Sequence, residues 1–218
     1  MLPRGRTHVL VMAKAPVPGR VKTRLCPPLS PTEAAEYAAA ALADTLEAVA
    51  ACAADDKVLA LEGEPGAWLP AGFRVVAQRG SSFNQRLAHA WDDAGGPGVQ
   101  IGMDTPQVTS DLLDGALAQV RPARALLGPT PDGGWWALGL PGPDDRVFDG
   151  VPMSRYDTGI WQRARLTQLG YAVHDLESLV DVDHFDDAIT VAADAAWTRA
   201  AATVDRLRLT RLATASPR

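Results

Sequence analysis

Cysteine is nearly absent from the 218 residues: Cys26 and Cys52 are the only two, too few for a disulfide framework and in no zinc-binding pattern. Basic charge is not in excess either. A net charge of −5 excludes the broad cationic face that a nucleic-acid groove needs, while leaving room for a small anionic ligand. Long hydrophobic runs are also missing. No stretch reaches membrane-spanning length, and the short apolar run near the start stops at Lys14 without a small-residue cleavage site. These absences lead us to expect a cytoplasmic protein in a reduced compartment, with no membrane insertion and no nucleic-acid partner.

Several catalytic signatures are lacking as well. There is no G-x-S-x-G elbow, no H-E-x-x-H and no cysteine metal cluster, so covalent catalysis is not expected. No G-x-G-x-x-G follows the first apolar run, and around Gly19 and Lys22 the glycine spacing of a Walker A loop fails. His8, His89 and His174 fall inside element patterns and read as structural.

What is present is an alternation of strand and helix signals. Val9 to Met12 reads as a strand, followed by a loop that ends at Ser30-Pro31-Thr32-Glu33, a capping box with proline at the first helical position. The helix that follows runs to about Ala53 and sets Leu42, Leu46 and Val49 on one face. Lys57 to Leu61, Phe73 to Ala77, Val99 to Met103, Ala125 to Leu127, Trp135 to Leu140 and Tyr171 to Leu176 read as further strands. Helices are expected over Phe83 to Trp91 (Phe83, Leu87 and Trp91 on one side), from a Thr109 or Ser110 cap to about Val120, and from Asp157 or Thr158 through Leu169 to Gly170. A helical tail runs to about Leu212, and the final T-A-S-P-R is expected to fray. With no internal repeat or dividing linker, the pattern predicts one α/β domain with a mainly parallel sheet.

The first strand empties into a loop carrying Lys14, Arg20, Lys22 and Arg24. Open α/β sheets bind ligands at the carboxyl ends of their strands, so four cations there suggest a phosphate site. Pro16 and Pro18 remove amide donors and stiffen the loop, leaving side chains to hold the anion. A solvated charged loop is the competing reading.

The blocks A-K-A-P-V-P-G-R-V-K-T-R-L, G-M-D-T-P, G-P-T-P-D-G-G-W-W and D-V-D-H-F-D-D, in that order, resemble a bacterial glycosyltransferase-like branch of the nucleotide-diphospho-sugar transferase superfamily. That branch, also described as radical-SAM and selenium-domain associated, is similar to the guanylyltransferase of coenzyme F420 synthesis and to molybdenum cofactor nucleotidyltransferases. The resemblance implies a GT-A fold, a three-layer α/β/α sandwich with a Rossmann-like sheet. Residues to about 105 would bind the nucleotide, about 106–190 the acceptor, and about 191–218 would form the helical tail.

The resemblance also implies Mg2+ or Mn2+, held by Asp104 and Asp183 with Asp181 as the alternative to the second. His184 stands where relatives carry Thr or Asn, which leaves the metal preference open. Lys14, Arg20, Lys22 and Arg24 would be the catalytic cations. Ala13, Lys14, Pro18, Gly19, Lys22, Ser82 and Asn84 would contact the nucleotide, with Asn84 reading a base edge; Ser81 and Ser82 are equally good helix caps. Asp132, Gly133, Gly134, Trp135 and Ser154 would line the acceptor side, with one of Trp135 and Trp136 facing the cleft and the other in the core. Arg155 and Asp157 are further acceptor candidates, although Asp157 is also a natural helix cap.

The expected activity is nucleotidyl transfer from a nucleoside triphosphate to a small phosphorylated acceptor, releasing pyrophosphate. The alternatives are glycosyl transfer from a nucleotide sugar and a nucleotide-binding protein without turnover. The small-molecule acceptor is unspecified, and a homodimer is left open.

Overall fold

The computed structural model describes residues 6–215. Seven strands form one sheet in the order β3-β2-β1-β4-β6-β5-β7. The chain runs β1 (His8–Lys14), α1 (Pro31–Ala51), β2 (Asp56–Glu62), β3 (Arg74–Ala77), α2 (Phe83–Ala94), β4 (Gly98–Gly102) and α3 (Ser110–Leu117). It continues through β5 (Arg124–Pro129), β6 (Trp135–Leu140), α4 (Thr158–Gln168), β7 (Ala172–Asp175), α5 (Phe185–Asp194) and α6 (Arg199–Ala215). β1, β2, β3 and β4 are mutually parallel and β7 is parallel to β5; only β6 runs antiparallel to its neighbours β4 and β5.

The alternation of side chains along β1 divides the core. Val9, Val11 and Ala13 pack with Leu42, Leu46 and Val49 of α1 and Leu113 of α3 on one face. Leu10 and Met12 pack with Leu87 and Trp91 of α2 and Leu166 of α4 on the other, which gives the three-layer sandwich. The far side of α1, through Ala34, Tyr37 and Ala41, packs on α5 and α6. Among the described residues no helix is long and apolar enough to cross a membrane.

Local signals explain most boundaries. Ser30 accepts from the Glu33 amide while Glu33 accepts from the Ser30 amide, the capping box that starts α1. Thr109 caps α3 through the Leu112 amide. α3 stops at Leu117, short of Val120. Asp157 precedes α4 but makes no capping bond; its carboxylate instead accepts from Arg155 and from the indole N–H of Trp161. Phe83 also departs from expectation. Leu87 and Trp91 are buried, whereas Phe83, at the first position of α2, remains exposed beside a cleft. At the C-terminus α6 continues through Ala215, so Thr214 and Ala215 are helical, and the remainder of the expected frayed end, 216–218, lies outside the described residues.

Candidate functional site

After β1 the chain turns back to place β2 on one side and later β4 on the other, so the carboxyl ends of β1 and β4 flank a topological switch point. Crevices at such points are where open α/β sheets bind ligands. Two adjoining lobes open there, with volumes of about 420 and 400 Å3. They share Met12, Arg24, Phe83, Gly102, Asp104, Ser154 and Asp183.

The second lobe is the cationic one. Lys14, Arg20, Lys22 and Arg24 all line it, together with Ala13 and Arg86. A tight turn shapes the loop: the Arg20 amide donates to the Val17 carbonyl at 3.0 Å, with Pro18 and Gly19 between them and Gly19 at φ +75°. Proline followed by a positive-φ glycine is the requirement of a type II turn. Pro18 and Gly19 therefore shape the loop and are not on the wall of the lobe. Lys22 adopts the left-handed region at φ 49°, uncommon for a residue with a side chain. That conformation sends its side chain inward to only 7% exposure, with Nζ 2.7 Å from Asp104 Oδ1. The same ammonium donates to the Val182 carbonyl.

Asp104 lies two residues past the end of β4, and its carbonyl accepts the Val182 amide at 3.0 Å. This bond ties the D-V-D segment to the end of the sheet, so residues almost eighty positions apart in sequence share one wall. Arg24 reaches Asp183 Oδ2 at 2.6 Å. Asp187, at the start of α5, accepts from the Asp183 and His184 amides and fixes this segment from behind. Lys14 and Arg86 both pair with Glu62, at 3.4 and 2.7 Å. Arg20 is exposed and has no ion-pair partner among the described residues.

Between these groups Asp181 is largely buried. Desolvation, then the nearby charge of Asp104, pushes its carboxyl up to about 7, while Lys22 acts in the opposite direction. One of its oxygens, Oδ1, has no hydrogen-bond partner. Oxygen ligands alone, from Asp104, Asp181 and Asp183, suit a hard divalent cation. No three acidic, histidine or cysteine side chains of the described residues converge on a common point. A hard cation held here would have to take one or two of these carboxylates and complete its shell with water or ligand oxygens.

The first lobe differs in character. Asp132, Gly134, Trp135 and Ser154 line it, as do Arg155 and Thr158. Gly133 does not line it but makes its wall possible: at φ +90°, a Cβ there would lie 1.7 Å from the Tyr156 carbonyl oxygen. Asp132 accepts from the Thr130 hydroxyl and the Gly134 amide, which locks the loop. Trp136 is buried and donates its indole N–H to Glu177, while Trp135 lies on the opposite side of the sheet; both contribute to the wall, so the expected division into one cleft ring and one core ring is only partly realised.

The base-reading expectation for Asn84 is not realised. Its amide nitrogen donates to the Phe148 and Val151 carbonyls, so the side chain fastens α2 to the 148–151 segment and is absent from both lobes. Ser82 likewise caps α2 through the Gln85 amide. Phe83 and Arg86, one residue before and two after Asn84, face the cleft instead. Gln100 was also missed; it stands on the floor of the first lobe within an otherwise apolar strand, V-Q-I, and that interruption was the available signal.

The Rossmann-like half-sheet, with acids and cations meeting at its switch point, is similar to that of a nucleotide-diphospho-sugar transferase-like structure. A crystal structure from Desulfovibrio desulfuricans G20, named provisionally as a nucleotide-diphospho-sugar transferase, superposes with a TM-score of 0.76 at 27% identity over 85% of this chain and 86% of that one. More narrowly, residues 35–155 match the bacterial family described as "Uncharacterized protein conserved in bacteria (DUF2064)", and the chain belongs to that family. Two more distant structures share the fold. A nucleotidyl transferase from Methanothermobacter has a TM-score of 0.58 at 14% identity, over 85% of this chain and 95% of that one. The 2-C-methyl-D-erythritol 4-phosphate cytidylyltransferase of Thermus thermophilus has a TM-score of 0.53 at 19% identity, over 86% and 97%. No curated protein matches the chain.

Proposed function

We propose that this protein is a divalent-metal-dependent nucleotidyltransferase that takes a nucleoside triphosphate and releases pyrophosphate. The observation that carries this reading is the meeting of Lys22 with Asp104 at 2.7 Å inside the cationic lobe. A polyphosphate–metal complex needs acids for the metal and cations for the phosphates within one cleft, and each group here currently neutralises the other. Asp104 and Asp183 would hold Mg2+ or Mn2+, and Lys22 and Arg24, released from them, would turn to phosphate oxygens. Arg20 and Lys14 line the same lobe and would serve the β and γ groups. When bound, the metal would supply charge neutralisation at the phosphates.

Catalysis then rests on alignment and electrostatic stabilisation, with no covalent enzyme intermediate. Residues to about 105 supply most of the donor lobe, joined there by Ser154 and Asp183, and residues 106–190 most of the acceptor wall. The nucleotidyl transferase and cytidylyltransferase names of the more distant neighbours accord with this reading. Glycosyl transfer from a nucleotide sugar is the second reading, favoured by the name of the Desulfovibrio neighbour and by the Trp135 ring beside the acceptor lobe. Incubation with each common nucleoside triphosphate or nucleotide sugar together with a panel of neutral and phosphorylated small-molecule acceptors, with and without Mg2+, separates the two. Metal-dependent pyrophosphate release supports the first, nucleoside diphosphate release the second. Tight nucleotide binding without either would mean a binding protein.

A further inference from the structure

We infer that the first lobe receives an uncharged, hydroxyl-bearing ring or chain rather than a phosphorylated molecule, and that the Gln100 amide is its specificity-determining contact. This rests on the reading of the second lobe as the polyphosphate site and names the chemistry of what lies beside it. The starting observation is an amide where the sheet calls for a hydrocarbon. Gln100 sits in register between Leu10 of β1 and Leu138 of β6, is 2% exposed, and lines the lobe. Its Oε1 is buried without a hydrogen-bond partner.

It is not alone. Thr105 Oγ1 and Trp135 Nε1, on the walls of the same lobe, are also buried and unpartnered, as is Asp181 Oδ1. Unpaired buried polar atoms are costly and therefore rare, and a concentration of them around one cavity points to a ligand that completes them. An amide and a hydroxyl both donate and accept, and an indole donates. A sugar or polyol hydroxyl, itself donor and acceptor, answers all three; a phosphate dianion can only accept.

Charge leads to the same conclusion. Asp132 and Asp181 border the lobe beside the two acids that would hold the metal, and of its two guanidiniums Arg24 would already serve the donor's phosphates while Arg155 is held by both carboxylate oxygens of Asp157. A second phosphate group would enter an acidic space with its cations engaged, next to the donor's own phosphates. The sequence-based expectation of a phosphorylated acceptor is thus the less favourable one.

The test uses the full-length protein and calorimetry with Mn2+ present. The common nucleoside triphosphates are titrated first. Paired acceptor probes then follow with the best of them bound: N-acetylglucosamine and its 1-phosphate, myo-inositol and its 1-phosphate, glycerol and its 3-phosphate. At least one neutral member should bind tenfold or more tightly than its phosphorylated partner. In Gln100→Leu that affinity should drop roughly tenfold or more, while triphosphate affinity stays unchanged. The thermal midpoint of Gln100→Leu should equal or exceed that of the wild type, because an unpaired buried amide has been replaced by a hydrocarbon of similar size. A merely structural glutamine would instead lower it.

Preference for the phosphorylated members, silence of every neutral member, or undiminished neutral-probe binding by Gln100→Leu each overturns the inference. Loss of triphosphate affinity in Gln100→Leu also overturns it, by assigning the amide to the donor's ribose or base. Absence of triphosphate binding by the wild type would fail the nucleotide reading itself, a different and separately visible result.

Discussion

Lys22→Met removes the cation that faces Asp104 at nearly constant side-chain length, and its consequences can be worked from the geometry. The ammonium lies 2.7 Å from Asp104 Oδ1, with the lysine side chain 7% and the aspartate side chain 39% exposed. Unit charges about 4 Å apart attract by about 4 kcal/mol at the effective dielectric of a protein surface, and desolvation of the ammonium offsets much of this. A net pair energy of about 1–2 kcal/mol follows, above that of a fully exposed pair. A metal ion arriving without nucleotide must displace this ammonium. Lys22→Met should therefore bind Mn2+ alone about 5- to 30-fold more tightly than the wild type. It should bind the Mn2+–triphosphate complex at least about tenfold more weakly, because a charged hydrogen bond to phosphate is lost. Calorimetric titration of both ligands into both proteins reads the two effects. Opposite signs are the signature of partner exchange; if both affinities fall together, or neither moves, the exchange does not occur.

Two further predictions concern the scaffold. Asp44 is buried in α1 and accepts from the Arg199 and Ala200 amides at 3.0 and 2.9 Å, capping α6 from another helix. Asp44→Ala should destabilise the fold by ~2 kcal/mol in urea denaturation, and an unchanged midpoint would mean that α6 is not held there. Burial pushes the His8 imidazole down to about 4 from 6.5, against a weaker pull from the Gly95 backbone. The unfolded chain then takes up the proton first, so stability is complete above pH 6.5 and falls by ~3 kcal/mol as pH drops to about 4. His8→Leu should flatten this window in urea titrations at pH 7.5 and 4.5, and an unaltered slope would place the titration elsewhere.

How much of this was legible in the sequence depended on whether the signal was local. The Ser30–Glu33 box and the stripe of Leu42, Leu46 and Val49 are determined by neighbours in the chain and are realised in the structure. The antiparallel direction of β6 between β4 and β5 depends on where the chain returns and had no local mark. At the site, the block resemblance named cations and two acids, Asp104 and Asp183, that line one lobe. It failed at Asn84, whose amide serves carbonyls over sixty residues away. Asp157 likewise had the residue type of a cap, but Arg155 and Trp161 engage its carboxylate. Polar side chains with several available partners are the ones whose role tertiary structure decides.

The most direct test of the central claim, that the N-terminal cations and the two acids act together on a metal-bound polyphosphate, is thermodynamic linkage between Mn2+ and a nucleoside triphosphate. Electron paramagnetic resonance counts free Mn2+ as the triphosphate is added to the wild type and to Asp104→Ala. The account predicts that the wild type binds Mn2+ at least about tenfold more tightly with nucleotide present and the nucleotide more tightly by the same factor with Mn2+ present. In folded Asp104→Ala both the coupling and pyrophosphate release should be lost. Independent binding of metal and nucleotide in the wild type, or undiminished coupling in Asp104→Ala, would contradict it.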